Sequence, residues 1–116
     1  MSITIKRGQV WWANLDPARG TEAGKIRPVV ILQTDLLNDA GHPSSIVCPI
    51  TTKVARKASI LRLHLAKGEV GNEEPSDVMV DQVRAIDNTR LTAQMGILST
   101  AKLLKLGDNL KILLDL

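Results

Sequence analysis

The chain has 116 residues, 44% of them hydrophobic, one cysteine and two histidines, which fits a single domain over residues 1–116 and excludes an internal disulfide or a zinc framework. No apolar run reaches the roughly 18 residues of a membrane helix and the start of the chain lacks the pattern of a secretory signal, so we expect a cytoplasmic protein without a membrane anchor. The net charge of +3 comes from residues 1–67, where ten Lys/Arg stand against four Asp/Glu, which favours a polyanionic partner but also fits a solvated surface.

The first predicted strand covers residues 8–15 and contains Trp11 and Trp12, the only aromatic residues of the chain. Adjacent residues of a strand point to opposite faces. One tryptophan is therefore expected to line a groove or an interface, unless loops or a partner chain cover both. A polar loop with glycines, residues 18–26, follows this strand.

The second predicted strand, about 27–34, begins at Arg27-Pro28 and continues into the apolar run VVIL. Such a run is typical of a strand that is covered on both faces. Pro28 fixes its own φ and favours an extended Arg27. We therefore predict that Arg27 is a fixed cation at one end of the sheet, beside the polar loop over residues 20–25.

The third predicted strand is Ser44–Thr51, after a connection with a short helical turn over residues 35–40. An antiparallel hairpin centred near residue 39 gives paired residue numbers that sum to about 78, which pairs Arg27 with Thr51. That register places the guanidinium and the hydroxyl together, whereas a slip of one residue would reverse the face. Pro49 cannot donate a ladder hydrogen bond, so it predicts an edge or a bulge.

A basic segment, residues 53–57, directly follows this strand. It indicates either a patch that steers phosphates toward the same end of the sheet or a solvated loop. Residues 59–66 alternate in polarity and predict a half-buried strand with His64 on its polar face. We expect His64 to be solvated or structural, the loop residue His42 to be solvated, and Cys48, which lies in an apolar run, to be buried.

A further valine-rich strand is predicted over residues 77–84. It contains Asp81 and Gln82, two polar residues that need hydrogen-bond partners, either in a neighbouring loop or in a bound ligand. Residues 85–98 predict a connection with one strand-like piece at 95–98.

One clear helix is predicted over about 100–114, with Ser99 as its N-cap. The helix should pack on the sheet or on a second subunit through an apolar stripe of Leu103, Leu106, Leu110, Leu113 and Leu114. The pattern as a whole predicts a mainly β protein of the α+β class, in which a small antiparallel sheet curls into a barrel with a C-terminal helix.

Four sequence motifs carry a family resemblance, namely RGQVWWANLDP, GTEAGKIRPVVILQTD, VCPITT and DQVRAID. Their order and spacing resemble those of the MazF/PemK/Kid toxins of bacterial type II toxin–antitoxin pairs, from Lys6 to the C-terminal helix. The resemblance implies an SH3-like barrel that works as a homodimer. It also implies an endoribonuclease that needs no metal or cofactor and cleaves single-stranded mRNA at short specific sequences.

The same resemblance implies a reaction and a regulator. The ribose 2′-OH is the nucleophile in the family, and the products are a 2′,3′-cyclic phosphate and a 5′-OH. A cognate antitoxin inhibits the enzyme with an acidic C-terminal segment that lies across the dimer.

Site residues follow from the resemblance position by position. Arg27 falls on the arginine of the RPV motif, which the family uses as general acid or transition-state stabiliser, and Thr51 falls on the threonine of the PIT segment. We therefore expect both to be catalytic, with Thr51 donating a hydrogen bond to the scissile phosphate. Glu22 falls on an acidic loop residue that is proposed as the general base in some members. The remaining expected RNA contacts are Thr21, Lys25, Thr52, Lys53, Asp81 and Gln82.

The chain departs from some family members at two positions. Thr21 stands where some members have histidine, and Met79 stands where some have arginine. Neither side chain here supplies an acid or a base, so the resemblance leaves more of the chemistry to Arg27 and Glu22.

Two other classes of function stay open. One is a CcdB-like poison of DNA gyrase, although that class depends on a C-terminal tail with tryptophan and this chain ends ILLDL. The other is a non-catalytic SH3-like binding module. Such modules grip peptides in aromatic grooves, and this chain has no tyrosine or phenylalanine.

Overall fold

A computed structural model describes residues 4–116, which form one sheet of seven strands with antiparallel pairing and two α-helices. The strands are β1 Gln9–Asn14, β2 Ile26–Ile31, β3 Ser44–Thr51, β4 Arg62–Leu65, β5 Ser76–Met79, β6 Arg84–Asp87 and β7 Leu91–Ile97. The helices are α1 Asp35–Asp39 and α2 Thr100–Leu114, and short 3₁₀ turns cover Val80–Gln82 and Asn88–Arg90. The strand order is β4-β5-β3-β2-β1-β7, with β6 also paired to β3. The predicted fold class is confirmed, as a small open barrel with a C-terminal helix.

The hairpin of β2 and β3 has the predicted register. Val29 pairs with Pro49 and Ile31 pairs with Val47, so the paired numbers sum to 78. On its other side β3 changes partner next to Pro49, from β6 at Val47 to β5 at Ile50. A residue without an N–H group fits this change of partner, because the ladder is interrupted there in any case.

Strand β2 contributes to two hydrophobic cores, which explains its unbroken apolar sequence. Val30 packs into a core that includes Cys48 and Leu106 of α2, and Val29 packs into a second core with Trp11. Alternate side chains leave opposite faces of the strand, so both cores depend on β2. Cys48 is buried as expected, and its burial raises the pKa of the thiol to about 12.

The predicted strand over residues 77–84 is wrong in its second half. β5 ends at Met79, and the chain then makes the 3₁₀ turn Val80–Gln82, in which the amide of Val83 donates to the carbonyl oxygen of Val80 at 3.3 Å. Val80 stays fully buried while Asp81 is exposed. Aspartate is unfavourable inside a strand, and the turn lets it reach solvent without exposing the valine.

Two further boundaries differ from the prediction. Residues 85–98 are not a connection, because β6 and β7 occupy most of this segment and β7 pairs with β1. The strand predicted over 59–66 begins only at Arg62, and Leu61 is exposed in the preceding turn.

Helix α2 begins and ends as predicted, and the Ser99 hydroxyl oxygen accepts from the amide of Lys102 at 3.2 Å. Leu106 is fully buried, while Leu113 and Leu114 are exposed. The stripe therefore covers the barrel only through its first three leucines. Nowhere in residues 4–116 does a helix combine the length and apolar character that crossing a membrane requires.

Candidate active site

An open cavity of about 800 Å³ lies at the end of the barrel where β2 begins and β3 ends. Its walls come from β1, β2, β3, β4, β5 and β7, from the 3₁₀ turn Val80–Gln82 and from the loops over residues 15–25, 52–61 and 66–75. The polar and aromatic side chains that line it are Trp12, Thr21, Lys25, Arg27, Thr51, Thr52, Lys53, Arg62, Asn72, Glu73, Glu74, Ser76 and Gln82.

The loop over residues 15–25 is closed by its own side chains and by a glycine. Asp16 Oδ1 accepts from the amide of Lys25 at 2.6 Å. A Cβ atom added to Gly24 would lie 2.6 Å from the Cβ of Ala18 and 2.9 Å from Asp16 Oδ1. Only glycine therefore fits where the two sides of the loop cross.

Gln82 fixes the same loop to the barrel from the other side. Its Oε1 accepts from the amide of Ala23 at 3.1 Å, and its Nε2 donates to the carbonyl oxygen of Thr21 at 3.0 Å. The oxygen and the nitrogen of the side-chain amide are thus both hydrogen-bonded to the loop. Of the two partners predicted for Gln82, a neighbouring loop or a bound ligand, the structure shows the loop. Asp81 is exposed in the 3₁₀ turn and does not line the cavity.

Arg27 is half-buried and held at one atom. Its Nε donates to the carbonyl oxygen of Gly24 at 2.8 Å, and among residues 4–116 neither Nη group has a hydrogen-bond acceptor. Because a guanidinium is planar, the bond at Nε also sets the direction of both Nη groups. The side chain therefore presents its fork of donors to a ligand at low conformational cost.

Thr51 lies on the neighbouring strand with its hydroxyl already oriented. Its Oγ1 accepts from the amide of Lys53 at 3.1 Å. Continuing the observed register beyond Val29 and Pro49 puts Thr51 opposite Arg27, and both residues line the cavity. A hydroxyl that accepts on one side keeps its proton for a second partner, so it is able to donate to an anionic oxygen.

The cavity has an excess of positive charge. Lys25, Lys53 and Arg62 join Arg27 in its lining, against the carboxylates of Glu73 and Glu74. The cations attract phosphates, and the carboxylates accept hydrogen bonds from amino groups of bases. In the part of the chain that the structure describes, residues 4–116, no three His, Cys, Asp or Glu side chains gather in a group suited to a metal ion.

The two tryptophans have different environments. Trp11 is buried in the second core, and its Nε1 donates to Gln9 Oε1 at 2.9 Å. Trp12 is 38% exposed and lines the cavity. The prediction that one tryptophan lines a groove is therefore confirmed, and that residue is Trp12.

Seven of the nine predicted site residues line the cavity, and two do not. Asp81 is one exception, and Glu22 is the other. The carboxylate of Glu22 accepts from the amide of Arg19 at 2.7 Å within the loop. It therefore serves as a turn contact in this structure and lies outside the lining.

Sequence reasoning did not single out Arg62, Glu73 or Glu74, although all three line the cavity. The alternating pattern around Arg62 placed it on a polar face, but only the pairing of β4 with β5 brings that face to the cavity. The two glutamates lie in an irregular loop, for which no periodic pattern exists.

The chain matches one protein family along most of its length. Residues 6–114 fit the family described as PemK-like, MazF-like toxin of type II toxin–antitoxin system. The chain is 33% identical over 114 residues to Endoribonuclease EndoA of Bacillus subtilis, which covers 98% of this chain and 97% of that protein.

Solved structures share the fold. A crystal structure of MazF from Deinococcus radiodurans has a TM-score of 0.84 at 22% identity and covers 99% of this chain and 100% of its own. A MazE–MazF structure from the same organism has a TM-score of 0.77 at 23% identity, with 99% coverage of both chains.

Proposed function

The chain belongs to the PemK-like, MazF-like toxins of type II toxin–antitoxin systems, and from this premise we propose that it is an endoribonuclease toxin that cleaves single-stranded mRNA. The family match covers residues 6–114, and the relatives at 33–34% identity are named endoribonucleases. The observation that carries the proposal is the cavity with Arg27 and Thr51 in its lining. A fixed guanidinium and an oriented hydroxyl can donate hydrogen bonds to the phosphate oxygens, on which negative charge increases during cleavage.

Arg27 is proposed to stabilise the transition state. The two Nη groups donate to non-bridging oxygens of the scissile phosphate, where negative charge increases as the phosphorane forms. Thr51 donates its hydroxyl proton to the same phosphate. Because Gly24 and Lys53 hold these two side chains before RNA arrives, little reorganisation is needed during the reaction.

The bond changes follow from the internal nucleophile. The 2′-oxygen forms a bond to phosphorus, and the bond from phosphorus to the 5′-oxygen breaks with its electron pair on that oxygen. A general base removes the 2′-OH proton, and the 5′-oxygen gains a proton from an acid or from solvent. The products are a 2′,3′-cyclic phosphate and a 5′-OH, and the nucleophile is part of the substrate, so no metal-bound water is required.

The general base is proposed to be Glu22, after RNA displaces its contact with the amide of Arg19. A competing assignment follows from the cavity, because Glu73 and Glu74 line it and Glu22 does not. Glu22→Gln, Glu73→Gln and Glu74→Gln separate these assignments. Removing the general base should abolish the acidic limb of the pH–rate profile. A glutamate whose substitution leaves that limb unchanged is not the base.

RNA binding is proposed to combine charge with stacking. Lys25 and Lys53 neutralise phosphates next to the scissile one, and the exposed face of Trp12 stacks on an unpaired base. Thr21 and Thr52 offer hydroxyls to base edges. For a single-stranded nucleic acid, the logarithm of the binding constant falls with the logarithm of the salt concentration, with a slope of about 0.7 per neutralised phosphate. Removing either lysine should therefore reduce this slope by about 0.7.

Two protein partners are proposed. A second copy of the chain covers exposed apolar residues at the end of α2, among them Ile112, Leu114 and Leu116. A cognate antitoxin places an acidic segment on the basic cavity, in keeping with the shared fold of the MazE–MazF structure. Because the proposed substrate of this chain is mRNA, we place its action in the cytoplasm. Sedimentation equilibrium tests the dimer, because a purely monomeric species at micromolar concentration would contradict it.

One assay tests the function against both alternatives. Purified protein is incubated with a long single-stranded RNA in EDTA, and the new ends are mapped. We expect fragments with 2′,3′-cyclic phosphate and 5′-OH ends. Intact RNA together with gyrase trapped on DNA would support the CcdB-like alternative, and the absence of both effects would support the binding module.

A further inference from the structure

A buried carboxylate lies directly behind the cavity. Asp77 is on β5, its backbone pairs with Thr51 of β3 on one side and His64 of β4 on the other, and its side chain is only 2% exposed. A buried carboxylate is costly unless hydrogen bonds and positive charge compensate for it. The partners of Asp77 therefore indicate what it stabilises.

All three partners of Asp77 connect it to the loop between β3 and β4, residues 52–61, or to the strand that follows. Oδ2 accepts from the amide of Ala55 at 2.8 Å and from Arg62 Nη1 at 3.3 Å. Oδ1 lies 3.2 Å from His64 Nδ1. The same Nη1 of Arg62 also donates to the carbonyl oxygen of Lys53 at 2.9 Å, so Asp77 holds the loop both directly and through Arg62.

The loop has few other attachments. None of residues 52–61 is fully buried, so the loop lacks an apolar anchor in the barrel. Its backbone contacts are mostly internal turns, with one bond from the amide of Val80 to the carbonyl oxygen of Leu61 at its far end. Near the cavity, the hydrogen bonds of Asp77 and Arg62 are the contacts that fix its path.

The peptide groups of Lys53 connect this anchor to the candidate catalytic hydroxyl. The carbonyl oxygen of Lys53 is held by Arg62, and the amide of Lys53 donates to Thr51 Oγ1 at 3.1 Å. Holding the carbonyl end restrains the amide end, which in turn sets the rotation of the Thr51 hydroxyl. Without this restraint the hydroxyl would rotate among its staggered positions.

We propose that Asp77 is a positioning residue for RNA cleavage, which holds the β3–β4 loop so that the Thr51 hydroxyl and Lys53 point into the cavity. The inference rests on the proposed function, because it assigns Asp77 a role in that reaction. Asp77 itself is shielded from the RNA by its burial. It therefore acts on the rate through Thr51.

The test is a double-mutant cycle between Asp77 and Thr51, with Asp77→Asn as the isosteric change and Thr51→Val as the removal of the hydroxyl. We expect Asp77→Asn to lower kcat about tenfold while KM changes less than about threefold, since small displacements of a reacting group cost rate rather than ground-state binding. In the Thr51→Val background the same substitution should lower kcat less than about twofold.

A general loss of stability would lower kcat by the same factor in both backgrounds, and that result would overturn the proposal. Asp39→Asn is the matched control, because it removes the same charge from an exposed residue that does not line the cavity. It should leave kcat unchanged.

A second measurement needs no activity. In Asp77→Ala, amide hydrogen exchange at Ala55 and Lys53 should accelerate at least about tenfold, while exchange at the core residue Val30 stays within about twofold. Unchanged exchange in the loop would overturn the proposal. If the wild-type protein cleaved no RNA, the proposed function would fall, and the exchange experiment would still decide whether Asp77 positions the loop.

Discussion

Gly24→Ala changes the position of Arg27 without altering any side chain of the cavity. The added Cβ would lie 2.6 Å from the Cβ of Ala18, about 1 Å inside normal contact between two carbons. Because Ala18 has no rotamer to adjust, the loop backbone must shift by a comparable distance. The carbonyl oxygen of Gly24 holds Arg27 Nε at 2.8 Å, so the guanidinium loses its anchor.

A displacement of this size at a reacting group costs up to about 100-fold in rate. The loop lies at the surface and has room to relax, so we expect a loss of stability of no more than about 1–3 kcal/mol. The assay is the single-turnover rate of RNA cleavage with saturating enzyme, together with urea unfolding. Gly107→Ala is the matched control, because nothing lies within 4 Å of its added Cβ and helix propensity favours alanine by up to about 1 kcal/mol. Wild-type cleavage by a folded Gly24→Ala protein would refute the role of this carbonyl.

Three further predictions concern stability and reactivity. The thiol of Cys48, whose pKa burial raises to about 12, should resist iodoacetamide at pH 8 in the folded protein and react in urea; rapid labelling of the folded protein would contradict its burial. Leu106→Ala should destabilise the protein by about 2–5 kcal/mol, whereas Leu104→Ala, 67% exposed on the same helix, should stay within about 0.5 kcal/mol in urea unfolding at equal protein concentration; similar losses would refute the packing of α2. The amide of Arg7 donates to Asp35 and holds the pKa of that carboxyl below its usual value. The ionised Asp35 therefore stabilises the folded protein fully at pH values above the pKa of the unfolded state, near 3.8, and this contribution disappears as pH falls through the pKa of the folded state. The difference in unfolding midpoint between wild type and Asp35→Asn should be constant above about pH 5 and shrink in more acidic solution, and a difference that grew on acidification would have the wrong sign.

Local signals predicted the helix and the central hairpin well. Ser99 begins α2 because its hydroxyl satisfies an amide of the first turn, a contact within three residues. The register of β2 and β3 follows from a connection centred near residue 39 and an apolar run that is buried on both faces. Since Arg27 and Thr51 lie on this hairpin, their common location in the cavity was predictable too.

Contacts between distant segments could not be predicted in the same way. The strand pattern over 77–84 hides a 3₁₀ turn, because Val80 is buried in the turn just as the alternating pattern of a strand would require. The partners of Asp77 depend on the pairing of β4 with β5 and on the path of an irregular loop. Glu22 fitted a family motif, but its position depends on a hydrogen bond to Arg19 within the loop.

The central claim is that the Arg27 guanidinium stabilises the transition state of RNA cleavage. The most direct measurement compares single-turnover cleavage by Arg27→Ala and Arg7→Ala. Each arginine donates its Nε to a backbone carbonyl oxygen. The acceptor of Arg7 is Leu32 at 3.0 Å, which lies just past the end of β2 that is opposite Arg27. We predict that Arg27→Ala loses about 10²–10³-fold in rate with its fold intact, while Arg7→Ala cleaves at the wild-type rate. Equal rates for the two variants would contradict the account.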